Sequence, residues 1–151
     1  MKIVNVVNVV NAGILNATGH TLPVEEYYKF FKFKRSLRKI YDNFSTAETD
    51  LLKDMGISNN EIQQLGDRVV ISPRKEDGSI DTERLTKYHS AIKKLLEEDV
   101  TLDITEKIPI KYYKNIYDEN CKDDNNKKVD IFASSQVEDF IIDNLFDEEI
   151  S

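Results

Sequence analysis

TLPVEEYYKFFKFKRSLRKIYDNF, residues 21–44, decides how this chain folds, because five aromatic and six basic side chains crowd between Tyr27 and Lys39. Pro23 suits a first helical turn, where its missing N–H has no partner to lose. Glu25 and Glu26 follow at the positive end of the helix dipole. At 100° per residue, Phe30, Phe33, Leu37, Ile40, Phe44, Leu51 and Met55 fall within one stripe about 80° wide. With Ala47, the steps from Phe30 to Leu51 alternate between three and four, the spacing of a helix packed lengthwise on another helix. The spacing predicts a helix from about Val24 to Met55, about 48 Å long if unbroken, stopped by Gly56. Its weak point is Asn43–Thr49, where Ser45 and Glu48 have the spacing of a capping box and offer a restart.

On that wheel, Lys32, Arg35 and Lys39 cluster away from the apolar stripe, and Tyr28 and Phe31 are not accounted for by it. Basic side chains neutralise phosphates and aromatic rings stack on bases, so a nucleic-acid surface is one reading. The heavier weight goes to a solvated or partner-facing surface, because the chain as a whole is acidic. Tyr28, Lys29, Phe31, Lys32, Arg35, Arg38 and Lys39 are the candidate partner-binding residues.

Outward from this helix, Val6, Val7, Val9, Val10, Ile14 and Leu15 are apolar while Asn5, Asn8 and Asn11 recur every three positions. That fits a short helix better than a strand, joined through the turn ATGHT (17–21) to the long one as a helical hairpin over 1–56. ISNNEIQQLGD (57–67) reads as a loop or one helical turn. RVVISP (68–73) reads as a strand ended by proline, and Asp77-Gly78 as a turn. Asp81 or Thr82 can cap a helix with Leu85, Tyr88, Ile92, Leu95 and Leu96 on one face. VTLDI (100–104) alternates like a strand and is expected to pair with 68–71, completing a strand-helix-strand part over 57–117. A polar mobile loop is expected at 118–130. A C-terminal helix lies within 131–147, starting at Ser135 with Glu138 as its capping-box partner.

At 151 residues, 40% hydrophobic and 32% charged, the chain has the size and composition of one soluble globular domain. The expected class is mainly α with a minor β part, including a small two-stranded antiparallel element. The net charge of −7 is unevenly spread: residues 1–45 carry seven basic and three acidic side chains, and residues 46–151 carry 14 and 25. Such polarity suggests head-to-tail or partner contacts. One cysteine allows no internal disulfide. No apolar run reaches the roughly 18 residues of a membrane span, and the N-terminal apolar stretch is interrupted by asparagines, unlike a signal peptide.

Motifs for chemistry are sparse. His20 and His89 have no second His or Cys at metal-ligand spacing. Asp118, Asn120 and Lys122 open an acidic run without the central Gly or terminal Glu of a calcium loop. Cys121 reads as an exposed thiol without a base or oxyanion site. The expectation is no catalytic residue, no metal and no cofactor.

The order of features, from a short helix through LPV (22–24) opening a long helix ending LLKDMG (51–56), then KEDGS (75–79), IKKLLEEDVTLDI (92–104) and SSQVEDFIIDNLF (134–146), resembles small proteins encoded in tailed-bacteriophage genomes near genes for virion structure and assembly. The resemblance implies a non-enzymatic role as a minor virion component of head, neck or tail, or as an assembly factor. It implies other virion or assembly proteins as partners, in a homo- or hetero-oligomer without a membrane, and a location in the virion or host cytoplasm. The alternative is a nucleic-acid-associated regulator using the basic face of residues 29–39.

Overall fold

The computed structural model describes residues 1–66, 68–121, 131–132 and 134–147. The architecture is mainly helical with minor β structure. Two compact units make it up, one from residues 1–41 and 99–151, the other from 42–98.

In the first unit, α1 (Ile3–Asn11) buries Ile3, Val6 and Val9. The triplet spacing puts Asn5, Asn8 and Asn11 outward, so the asparagine repeat is the solvent edge of a helix. α2 (Val24–Asp54) runs for 31 residues without a break, about 46 Å at 1.5 Å per residue. Ser45 does not restart it, since its carbonyl accepts the Thr49 hydroxyl at 3.0 Å from one turn later. Phe30, Phe33 and Leu37 are fully buried, as the stripe predicts, and Ile40 is partly so. Their partners include Val6, Val9, Ile108, Ile116, Ile141, Leu145 and Phe146. The last five come from β3 (Ile108–Pro109), α4 (Tyr113–Asn120), α5 (Ser135–Leu145) and β4 (Phe146–Asp147). β3 and β4 form a short parallel pair, Ile108 opposite Phe146, and α1 lies against α5.

Three segments of this unit differ from expectation. Residues 100–104 alternate inward and outward as expected, with Val100, Leu102 and Ile104 against the core, but they form no strand with 68–71. Single bonds hold them instead: Val100 N–H to the Met1 carbonyl at 2.8 Å and Asp103 N–H to Ser36 Oγ at 2.9 Å. Residues 118–120 of the expected loop are the last turn of α4, with Asn120 buried. Residues 122–130 of that loop lie outside the described residues. Finally, Ser134 precedes α5 without a side-chain cap, and Glu138 accepts the Tyr113 hydroxyl at 2.7 Å rather than closing a capping box. Burial, reinforced by this hydrogen bond, pushes the Tyr113 phenol upward.

Asn120 ties the turn before α2 to α4. Its Oδ1 accepts Thr18 N–H at 2.8 Å, and its Nδ2 donates to the carbonyls of Thr18 and Ile116, both at 2.8 Å. The side-chain amide thus pairs with Thr18 in both directions, as a neighbouring strand would. Beside it, Glu119 accepts His20 N–H at 2.7 Å and the Thr21 hydroxyl at 3.1 Å. Burial would raise the Glu119 carboxyl, but these hydrogen bonds outweigh it and hold the group below its usual range.

In the second unit, the C-terminal end of α2 closes on Gly56 at φ +67°. Gly56 N–H donates to the Lys53 carbonyl at 3.0 Å and Ile57 N–H to Leu52 at 2.9 Å, the paired bonds of a Schellman turn. Residues 57–67, read as loop or helical turn, hold a helical turn at Asn59–Glu61 and then β1 (Ile62–Leu65). β1 is the antiparallel partner of β2 (Arg68–Ile71), with Leu65 opposite Arg68. Gly66, at φ +63°, turns the chain so tightly that the adjacent strand takes the place predicted for residues 100–104. The Asp77-Gly78 turn forms as expected, with Asp77 accepting Ser79 N–H at 2.9 Å. Asp81, not Thr82, caps α3 (Thr82–Leu96), and Tyr88 is the buried residue of its apolar face.

Arg84 of α3 spends its whole guanidinium on this unit. It reaches the carbonyls of Gly56 at 2.8 Å and Arg74 at 2.7 Å, Glu61 at 3.2 Å and Asp81 at 2.9 Å. The planar fork of donors is suited to such divided duty, as a point-like ammonium is not.

Candidate functional site

The buried stripe of α2 defines the opposite face by geometry. Turning about 150° from Phe30, Phe33 and Leu37 brings Val24, Tyr28, Phe31, Arg35 and Arg38 into line. Val24 is 84% exposed, Tyr28 56% and Phe31 45%. These residues step by four, three, four and three, the same seam spacing as the buried face, yet the seam lies open. An open aromatic row of this kind is unusual because a large exposed apolar side chain forgoes burial free energy. Tyr28 and Phe31 stack on each other with ring centroids 6.4 Å apart and planes within 12°, and the Lys32 ammonium sits 4.6 Å from the Tyr28 ring centre.

Of the seven candidate residues, six stand open and one is committed. Lys29 lies 3.2 Å from the buried Glu26 carboxylate and donates to the Lys107 carbonyl at 3.3 Å. Those contacts tie it to its own chain, although it also lines the neighbouring groove. Among the described residues, Lys32, Arg35, Arg38 and Lys39 form no ion pair. Lys34, on the flank of the buried stripe, donates to the Ala17 carbonyl at 2.8 Å and lies over the Phe30 ring. Burial, and then the charge of Arg38, lower its pKa.

Beside the seam lies a groove of about 640 Å³. Tyr28, Lys32, Arg35 and Lys39 line one wall, and residues Asp103–Glu106 form the other. The buried Ser36 hydroxyl fixes that second wall through its bond from Asp103 N–H. Sequence reasoning missed this wall and the exposure of Val24. The open seam was there to be found, because residues 24, 28, 31, 35 and 38 repeat as regularly as the core positions.

The weaker candidates have ordinary structural settings. His20 is exposed, with its N–H held by Glu119, and the His89 ring lies 5.9 Å from Tyr88. Cys121, expected to be exposed, ends α4 half-buried against the core, because the helix continues through 118–120 and carries it inward. Among the described residues, no three His, Cys, Asp or Glu side chains converge as metal ligands, and no helix is long and apolar enough to cross a membrane.

No protein-family model matches the chain, and no curated protein or solved structure does.

Proposed function

We propose that this chain acts by binding protein, without chemistry of its own, as a minor component of the head, neck or tail of a tailed bacteriophage or as an assembly factor for such a particle. The observation that carries the binding role is the seam Val24–Tyr28–Phe31–Arg35–Arg38, which repeats the spacing of the buried face but stands exposed among the described residues. Aromatic residues and arginine are the side chains that dominate binding energy at protein interfaces, since they bring large contact area at modest entropic cost. The phage setting is supported by the resemblance in the order of helix starts and stops.

Mass spectrometry of purified particles and of assembly intermediates tests this reading. Detection at a fixed number of copies per particle supports it. A chain missing from both preparations refutes the virion and assembly role.

A nucleic-acid role has one observation in its favour, the four cations of α2 that form no ion pair among the described residues. Against it, Glu25, Asp103 and Glu106 line the groove beside those cations and repel phosphate. If nucleic acid were the ligand, Lys32→Glu, Arg35→Glu and Lys39→Glu together would abolish a binding that weakens steeply with salt.

A further inference from the structure

The open seam of α2 is basic and aromatic, and the same unit carries a second open surface of opposite character. Between α1 and α5 lies a groove of about 590 Å³, within the roughly 300–1,000 Å³ of concave sites that accept a drug-sized group. Val9, Val137 and Phe140 form its floor, and Asn5, Asn8, Asp139 and Asp143 stand at its edges. The asparagines are exposed because the triplet repeat of α1 turns them outward. Asp139 and Asp143 are exposed as well, and among the described residues neither carboxylate is ion-paired. Lys107 Nζ donates to the Asp143 main-chain carbonyl at 2.8 Å and not to its carboxylate, and Met1 also lines the groove.

Resting on the docking role proposed above, we propose that the occupant of the seam is a second copy of this chain, which receives α2 in its α1–α5 groove, head to tail. Charge complementarity carries the assignment. Arg35 and Arg38 are separated by a rise of about 4.5 Å along their helix, and Asp139 and Asp143 by about 6 Å along theirs, so two long guanidinium side chains reach two carboxylates without distortion. The seam also carries the exposed Tyr28 and Phe31 rings, which match the apolar Val9, Val137 and Phe140 of the groove in character. A symmetric pairing of α2 with α2 is disfavoured, because it would concentrate Lys32, Arg35, Arg38 and Lys39 of both copies in one interface. A contact between two different surfaces leaves one of each kind free at the ends, and so propagates into a ring or a filament.

The test uses two variants of the full chain, Arg35→Glu/Arg38→Glu and Asp139→Arg/Asp143→Arg, all at exposed positions. Sedimentation and light scattering at low salt are expected to show wild-type chains growing beyond dimers with concentration, and each variant alone remaining monomeric. An equimolar mixture of the two is expected to regain association beyond dimers, because the unchanged seam of the second variant meets the unchanged groove of the first, and the reversed seam of the first meets the reversed groove of the second. Raising the salt to about 0.5 M should weaken wild-type association by about tenfold, since rim charges are screened.

A wild-type chain that stays monomeric overturns the assignment, as does a mixture that fails to associate. An α2–α2 dimer would be altered by the first variant and left intact by the second, which overturns the groove as the receiving surface. A monomeric chain that is still found in particles, and lost from them when Arg35 and Arg38 are reversed, overturns the second copy as occupant and leaves the docking reading standing. A monomeric chain absent from particles and assembly intermediates removes both.

Discussion

Replacing Asn120 tests the clamp between α4 and the turn that leads into α2. Asn120→Ala removes three hydrogen bonds and leaves the Thr18 N–H and C=O without their partners. The Ile116 carbonyl keeps its place at the end of α4 and loses less. A stranded buried polar group costs about 1–3 kcal/mol, and Asn120 is only 8% exposed, so the two Thr18 groups together come to about 3 kcal/mol. For a chain of this size that corresponds to a fall of about 6–12 °C in melting temperature. Asn120→Asp keeps the acceptor for Thr18 N–H but turns both donated bonds into oxygen–oxygen contacts and buries a charge. Its loss at pH 7 should equal or exceed that of the alanine variant. Burial raises the introduced carboxyl in the folded chain above its unfolded value. The folded state therefore holds the proton more tightly, and the deficit against wild type should shrink as pH falls through the folded pKa. Urea unfolding of the three chains from pH 7 to pH 4 reads all of this. An alanine variant within about 1 kcal/mol of wild type, or an aspartate variant whose deficit does not move with pH, would refute the clamp.

Three further outcomes follow from the second unit and the turns. Hydrogen bonds from Ser58 and Arg74 N–H, helped by the Arg84 charge, lower the Glu61 carboxyl to about 2. Its contribution is present above the unfolded value near 4.5 and is lost as pH falls toward 2, so Glu61→Gln should flatten that part of the acid-unfolding curve. Arg84→Lys keeps the charge but not the fork; amide exchange at residues 55–61 and 74 should quicken, and unchanged exchange would show that the lysine substitutes fully. Gly56→Ala places a Cβ at φ +67° in ordinary contact with Arg84 Nη1 at 3.8 Å, so its cost should be the left-handed backbone alone, about 1 kcal/mol. A Cβ at Gly19 would lie 3.0 Å from Leu22 and from Phe30. Gly19→Ala should therefore cost more, about 1–3 kcal/mol by overpacking, and paired melts of the two variants would expose a reversed order.

The helices were legible because each repeats one physical requirement many times. α2 shows Phe30, Phe33, Leu37 and Phe44 in phase, and α1 shows three asparagines in phase on its open side. A single misplaced residue could not have hidden either pattern. The β pairing was illegible for the opposite reason. Ile62–Leu65 reads IQQL, with no alternation to announce it, whereas Val100–Ile104 alternates cleanly yet spends its pattern on the core without a ladder. Asn120 and Glu119 were hidden by composition. They stand at the head of a polar run, and what separates them from solvent-facing neighbours is a pair of bonds to residues about 100 positions away. On the candidate face, six of the seven residues singled out in the sequence stand open in the structure. The sequence could not show that Lys29 is held by Glu26 and the Lys107 carbonyl.

The bond between Thr18 and Asn120 spans 102 positions, and that separation orders events during synthesis. Phe30, Phe33 and Leu37 leave the ribosome early, but Ile116, Ile141, Leu145 and Phe146, against which they bury, come last. At about 5–20 residues per second, the apolar stripe of α2 waits on the order of 5–20 s for its cover. Residues 42–98 are contiguous and contain every partner that Arg84 uses, so that unit can close first. Pulse-labelled exchange during refolding should then protect the amides around Tyr88 before those around Phe33. Until the last third of the chain arrives, only the residues before α2, Val6 and Val9 among them, can shield its apolar stripe, and the nascent chain is at its most exposed to unwanted association.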